Sequence, residues 1–332
     1  MLKNKQLFSI VWLLALFFGL YGQEVPKIQS AATVNVGVMI QAVADFQNER
    51  IVPGVNGFSL GNARLIAHGS LPGDFAYRLQ ANAVGSTTLQ EARVMYWFKR
   101  DRLRVHAGVF KAPFSKEFLI RADAIDFVNR SNVVNALRPG FQTGVMLEFW
   151  PAAEELQLRV GAFNGNRPAA NGNDNNAYLY VGRLTWLPVR EESNNVEAGI
   201  NFGFSDDNAA RVDGLEFNGE RELFGADIRY QGISWLFAAE YLRGSLLGPG
   251  DFSPQPSGFH VTGGYMLNPQ NQLLLRYETY NNDRGSETNW VVLGYNLWPT
   301  AVTEFQANYV LDLDNTETDH HRVLLNVQVS FQ

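Results

Sequence analysis

Val34, Val36, Val38, Ile40 and Ala42 take alternate positions in the chain, and this two-residue rhythm recurs to the C-terminus. Alternation of apolar and polar residues over eight or so positions predicts a strand with one greasy and one wet face. About sixteen such segments follow residue 23. The first runs from Val34 to Phe46, and the next three lie near Ala63–Ser70, Phe75–Ala83 and Glu91–Phe98. Arg102–Phe110, Phe141–Trp150, Leu156–Phe163, Tyr178–Trp186, Val196–Phe204, Leu223–Tyr230 and Ile233–Tyr241 continue the series. The final five are Phe259–Leu267, Gln272–Tyr280, Asn289–Leu297, Thr303–Leu311 and Arg322–Phe331. In the last, Val323, Leu325, Val327, Val329 and Phe331 share one face, while Arg322, Asn326, Gln328 and Ser330 lie on the other.

The connections sort by length. Even-numbered segments lead into short turns such as Leu71-Pro-Gly-Asp74, Asn268-Pro-Gln270 and Trp298-Pro-Thr300. Odd-numbered segments lead into longer polar stretches: Gln47–Gly57, Lys111–Gly140, Asn164–Ala177, Ser205–Arg221, Gly244–Gly258 and Asp312–Asp319. Short turns on one rim and long loops on the other predict an all-β fold, a transmembrane antiparallel barrel with an apolar outside and a polar lumen. Trp97, Trp150, Trp186, Trp235 and Trp298 lie close to the short turns. That placement predicts a girdle at one lipid–water interface, where an indole keeps its ring in lipid and its N–H wet.

The N-terminus alone breaks the rhythm. Lys3 and Lys5 precede an apolar run from Leu7 to Leu20, and Gly22 follows. This is the form of a secretory signal, shorter than the roughly 20 residues of a spanning helix. Residues 1–22 are therefore expected to be cleaved, leaving 23–332 as one barrel in the bacterial outer membrane. The chain contains no cysteine, which excludes disulfides and thiolate metal sites. Hydrophobic residues make up 46% of it, and that modest share suits a barrel whose inner face is polar. The formal charge of -6 argues against nucleic acid as a partner.

Strand parity places Arg64, Arg78, Arg93, Arg104, Arg159, Arg183, Arg229, Arg276 and Arg322 in the lumen. An arginine on the lipid face near the midplane costs about 2–4 kcal/mol, so the inward side is where they belong. Glu91, Glu148, Glu197, Asp227, Glu240, Glu278 and Glu304 share that face. Two readings stay open on these grounds: an ion-paired lumen that stabilises the barrel, or a basic ladder that conducts anions. The stretch 111–140 bears on the choice. It is too long for an idle turn in a compact fold, and it carries Lys111, Lys116, Arg121, Arg130 and Arg138 against Glu117, Asp123 and Asp126. Phe114, Phe118, Leu119, Ile125, Phe127 and Val128 give it an apolar side able to pack on a wall. Folded inward between the fifth and sixth strands, it would narrow the lumen and place charge at the constriction, where pores choose the sign of an ion.

The same stretch carries a family likeness. Gly108-Val-Phe-Lys-Ala-Pro-Phe-Ser-Lys-Glu-Phe118, Asp126-Phe-Val-Asn-Arg-Ser131 and Arg138-Pro-Gly140 resemble the phosphate-selective porins of the porin O and porin P type. Phe163-Asn-Gly165, Gly182–Pro188 and the stretch from Ala307-Asn-Tyr309 to Phe331 extend the likeness to the C-terminus. The resemblance implies a sixteen-stranded outer-membrane barrel, commonly a homotrimer, with an inward third loop and a lumen that favours anions. Lys111 matches the lysine of the Phe-Lys-x-Pro-Phe-Ser motif and Arg130 the arginine before its serine, which implies structural or pore roles for both.

Enzymatic signals are weak. Gly57-Phe-Ser-Leu-Gly61 fits G-x-S-x-G, but it lies where a loop enters a strand rather than between a strand and a helix. No spacing pairs a serine with any of the five histidines. The acidic stretch Asp312–Asp319 lacks the glycine and closing glutamate of a calcium-binding loop. No catalytic residue, metal ligand or cofactor is therefore expected. The expected function is passive diffusion of small anions, phosphate being the candidate, along Arg78, Arg93, Arg104, Arg183, Arg229 and Arg276 of the wall and the five loop cations. The expected partners are outer-membrane lipid, copies of the chain in a trimer and, during insertion, the barrel-assembly machinery. A weakly selective general porin and a structural or adhesive barrel are the alternatives.

Overall fold

The computed structural model describes residues 32–47, 56–85, 88–99, 102–151, 155–165, 172–191, 194–314 and 320–332. The expected signal segment 1–22 lies outside them. Sixteen antiparallel strands close into a barrel, each paired with its neighbours in sequence, and the last pairs with the first. The strands are β1 Asn35–Gln47, β2 Gly57–Leu71, β3 Phe75–Asn82, β4 Thr88–Lys99, β5 Leu103–Lys111, β6 Phe141–Phe149, β7 Leu156–Phe163 and β8 Leu179–Glu191. They continue as β9 Asn194–Val212, β10 Leu215–Gly232, β11 Trp235–Leu247, β12 Ser257–Asn268, β13 Asn271–Asn281, β14 Glu287–Thr300, β15 Thr303–Asp312 and β16 Arg322–Phe331. Closure runs in register from Val38 opposite Phe331 to Gln47 opposite Arg322, so no sheet edge is left for another chain to pair with.

The alternation read along β16 holds in space. Leu325, Val327, Val329 and Phe331 are exposed on the outer surface, whereas Arg322, Asn326 and Gln328 are buried inside. The expected tryptophan girdle is corrected in part. Trp186 and Trp235 are exposed on the outside, and Trp235 lies 4.6 Å from the ring of Tyr265. Trp97 pairs across the sheet with Arg104, stacks at 5.5 Å on Trp150, and faces the lumen. Closeness to a short turn fixes a residue's height; parity decides which side of the wall it takes.

Two of the expected long loops are shorter than read. Ser205–Arg221 is mostly strand: β9 and β10 continue to a two-residue turn, Asp213-Gly214, whose φ angles are 48° and 75°. That is the left-handed geometry of a tight hairpin, which Asp-Gly adopts readily. Alternation is hard to see there because both faces are polar at many positions once the hairpin rises past the lipid. β11 likewise runs on to Leu247.

The lumen is not evenly filled. Residues 112–140, between β5 and β6, hold two short helices, α1 Lys116–Leu119 and α2 Asn132–Leu137, and a 3-10 turn at Ala122–Ala124. Phe114, Phe118, Val133, Val134 and Leu137 pack with the inward apolar residues Leu179, Val181, Leu223, Leu242 and Leu246 of β8–β11. Phe127 and Val128 join Leu236, Leu274, Val292, Val310 and Leu324 of β11–β16. Each fully buried phenylalanine or leucine contributes about 1.5–3 kcal/mol, so the loop settles on the wall that offers apolar side chains. The opposite wall stays polar and open.

Candidate functional site in the lumen

The loop is built by its own motif. Gly108 has φ 124°, and a Cβ there would meet the Ala92 carbonyl oxygen at 2.1 Å, so the backbone approach in β5 requires glycine. Lys111 ends β5 and donates from Nζ to the Phe118 and Ile120 carbonyls, the second at 2.9 Å. Phe114 is fully buried. Ser115, at φ 67°, caps α1 by accepting from the Phe118 N–H at 3.1 Å. Arg130 donates to the Glu117 and Ile120 carbonyls at 3.0 and 2.8 Å. Arg138 stands over the Phe118 ring, 5.2 Å from its centre. Lys111 and Arg130 thus satisfy the carbonyl end of a helix too short to satisfy its own.

Polar contacts then tie the loop to the far wall. Glu240 of β11 accepts from the Lys116 and Glu117 backbone N–H groups at 3.1 and 3.0 Å. Arg229 of β10 holds the Asp126 carboxylate at 2.7 and 2.9 Å. Asn308 accepts from the Val128 N–H at 2.8 Å, and Gln306 donates to the Ile125 carbonyl at 3.1 Å. Ser330 of β16 donates to Asp123 at 2.6 Å. Glu117 receives Ser131 through N–H and hydroxyl at 2.9 and 2.7 Å, and Arg276 at 3.2 Å. Burial alone would raise the Glu117 carboxyl, but His260, Arg276 and the Ser131 bonds outweigh it and hold the group below the usual range. At Asp123 burial is likewise outweighed, here by Arg121 and Ser330, and the net shift is downward. Burial, followed by the charge of Arg130, pushes the Arg138 guanidinium down to about 10.

Between the loop and the polar wall lies a cavity of about 310 Å³. Arg64, Arg78, Arg93 and Arg104 of β2–β5 and Arg159 of β7 line it, with Lys111 and Arg121 on the loop side. Its carboxyl groups are Glu91, Glu148 and Asp123, so seven basic side chains face three acidic ones, a formal surplus of four positive charges. Cross-strand register makes the belt: Arg78 lies opposite Arg93, Arg104 opposite Glu148, and Glu148 opposite Arg159. Glu148 is the hub, accepting from Arg104, Gln157 and Arg159 at 2.8, 2.8 and 2.9 Å, with His106 Nε2 at 2.9 Å. Glu91 joins Arg78 at 3.2 Å to Arg93 at 2.7 Å. Arg104 also stands 4.5 Å from the Trp97 ring centre. Arg64 donates at 2.7 Å to the neutral Asn62 side chain. The guanidinium groups are thereby fixed in direction, each keeping donors for the cavity.

The sequence-predicted cations therefore divide. Arg78, Arg93, Arg104, Lys111 and Arg121 meet around the cavity, and Arg64 and Arg159 complete it. Lys116 instead pairs with Glu197 and borders a second cavity, of about 590 Å³, lined also by Arg229, Gln272 and Trp298. Arg130 and Arg138 brace the loop. Arg183 is completely buried, bound to Asp227 at 2.6 and 2.8 Å. Arg276 is buried between Glu117 and Glu278, 4.4 Å from the Phe127 ring centre. Inward parity is common to all the wall arginines; which half of the lumen the loop covers separates them.

The sequence model of phosphate-selective porin O and P matches residues 34–223, more than half of the chain. The chain belongs to that family. The match includes the first strands, which lie before the motifs at Gly108 and beyond. Among solved structures, the anion-selective porin from Comamonas acidovorans superposes on this porin with a TM-score of 0.64 at 12% identity, over 91% of this chain and 100% of that one. The trimer form of OmpT, an outer membrane protein of Vibrio cholerae, gives 0.62 at 11% identity, over 91% and 100%. OprB of Pseudomonas putida at high pH gives 0.62 at 13% identity, over 90% and 94%. At such identities the likeness is one of fold. No curated protein sequence matches the chain. Family and architecture are those of a channel in the bacterial outer membrane.

Proposed function

We propose that this porin is a passive diffusion channel for small anions, phosphate being the candidate substrate. The supporting observation is the surplus of four positive charges around the cavity between loop and wall. Low-dielectric walls confine the field of such a cluster, and little water screens it. An anion entering the cavity exchanges part of its hydration shell for guanidinium N–H groups. No single cation traps it, because Glu91, Glu148 and Asp123 share those groups. Passage needs binding strong enough to admit the ion and weak enough to release it. We further propose, on the family resemblance, a homotrimer inserted by the barrel-assembly machinery after cleavage of residues 1–22.

Planar-bilayer recording in a potassium chloride gradient tests the reading. The reversal potential is expected to carry the sign of chloride permeation, and millimolar phosphate is expected to reduce chloride current. A reversal potential of zero would favour a general porin, and the absence of conductance a structural or adhesive barrel.

A further inference from the structure

The second lumenal cavity, of about 590 Å³, differs in character from the arginine-lined one, and its lining reaches the short-turn rim at Ile233 and Pro269. Lys116 and Arg229 are its basic side chains, and Asp123, Asp126 and Glu304 its acidic ones. Four of these five are engaged in ion pairs: Lys116 with Glu197, Arg229 with Asp126, and Asp123 with Arg121. Glu304 is the exception. It is buried on β15, and among the described residues it forms no ion pair. The Gln328 amide donates to one of its oxygens, and the nearby charges of Asp123 and Asp126 have its own sign.

Asn296 of β14 supplies a second unmet acceptor in the same lining. It is 1% exposed, its Nδ2 donates to the Asp126 carbonyl at 2.9 Å, and its Oδ1 has no partner. Register places Asn296 opposite Gln306, two residues along β15 from Glu304. Trp298, half-buried and two residues beyond Asn296, shares the inward face. A buried carboxylate without a cation, a buried amide oxygen without a donor and an indole therefore border one space. Ile120, Ile125, Leu236 and Met266 add hydrocarbon to its lining.

A fitting occupant brings positive charge to Glu304, a donor to Asn296 and an apolar body to the indole and the hydrocarbon. A quaternary ammonium has no N–H to donate, and an alcohol has no charge. A hard metal ion takes about six or more oxygens, and among the described residues no three acidic or histidine side chains are placed to hold one. A guanidinium makes its best contact as a fork on both carboxylate oxygens, and Gln328 already engages one of them. An ammonium that keeps its N–H groups meets every demand, and the face of Trp298 attracts the same charge.

We propose that this cavity binds a protonated organic amine with an apolar body, admitted from the short-turn mouth. The site is separate from the arginine-lined cavity and does not depend on the anion preference of the channel.

Isothermal titration calorimetry of the detergent-purified porin at pH 7 is the test, with benzylammonium as the probe. Benzyltrimethylammonium, which lacks N–H, and benzyl alcohol, which lacks charge, are the comparators. Benzylammonium is expected to give a saturable heat, and each comparator to bind about tenfold more weakly or not at all. Glu304→Gln keeps the shape and an acceptor for Gln328, and should weaken benzylammonium about tenfold. Trp298→Leu, at a half-buried position, should weaken it about threefold. Equal affinity for the three probes, no saturable heat, or undiminished binding by both variants would overturn the proposal. So would tighter binding of benzyltrimethylammonium, which would leave the indole as the whole of the site.

Discussion

Arg229 of β10 grips Asp126 of the loop through both terminal nitrogens, at 2.7 and 2.9 Å, across a sequence separation of 103 residues. The pair is one of several contacts that keep the loop against the wall, and the packing of Phe127 and Val128 lies beside it. Asp126→Asn removes the charge and keeps the shape. Losing a charge-assisted fork should weaken loop docking by roughly 1.5–3 kcal/mol. The expected outcome is a barrel of normal heat-modifiability with noisier single-channel current and faster proteolytic cutting in the loop. Unchanged noise and cutting would show that this pair does not hold the loop.

Selectivity should follow the residues around the cavity rather than the count of loop cations. Arg64→Glu with Arg121→Glu would leave five cations against five carboxylates, in place of seven against three. The reversal potential of this double variant is expected to fall to near zero. Lys116→Glu, which faces Glu197 and the second cavity, should shift it less. If the double variant stays anion-selective, the charge that sorts ions lies elsewhere in the lumen.

The barrel was legible in the chain because lipid enforces a period of two on every strand, and β7 and β16 have the ends read from sequence. The inward loop was legible from its length and its apolar side. What parity could not tell was wetness. Asn326 and Arg183 are polar and inward, yet both are buried, Asn326 in a side-chain bond from its amide to Gln306 and Arg183 among carboxylates. Arg64 and Arg159 have the same parity and reach the cavity. The difference lies in where the loop's phenylalanines find apolar partners, a tertiary fact spread over β8–β16 and absent from any local window.

Face assignment has a direct test in Val327→Arg and Gln80→Arg. Val327 is exposed on the outer wall of β16, so a charge there should hinder insertion, at a cost of roughly 2–4 kcal/mol near the midplane. Gln80 lines the cavity and points its amide toward Gln90, so arginine there should be tolerated and should raise the anion preference. Equal yields of heat-modifiable barrel from the two variants would refute the assignment.

Sidedness is read with single cysteines in a chain that has none of its own. Ser286→Cys, between β13 and β14, should react with an impermeant maleimide on intact cells, because the longer connections face outward. Gln270→Cys, in the short turn after β12, should react only after the outer membrane is opened. Labelling of Gln270→Cys on sealed cells would invert the barrel.

Acid should release the loop. Glu117 and Asp123 are held below the usual carboxylate range in the docked loop, the net result of charge and hydrogen bonds outweighing burial. A carboxyl depressed in the folded state favours that state fully above its ordinary value of about 4, and the contribution is lost as pH falls through the depressed value. Docking should therefore be constant from neutral pH down to about 5 and should weaken progressively below about 4. Ser131 would then face a protonated Glu117, and Ser330 a protonated Asp123, each a weaker acceptor than the carboxylate it replaces. Bilayer recordings stepped from pH 7 to pH 3 should show current noise rising at the acid end. In Glu117→Gln, which lacks the charge at every pH, the noise should already be high at neutrality. If the wild type keeps a quiet current at pH 3 and Glu117→Gln is equally quiet at pH 7, these carboxylates do not hold the loop.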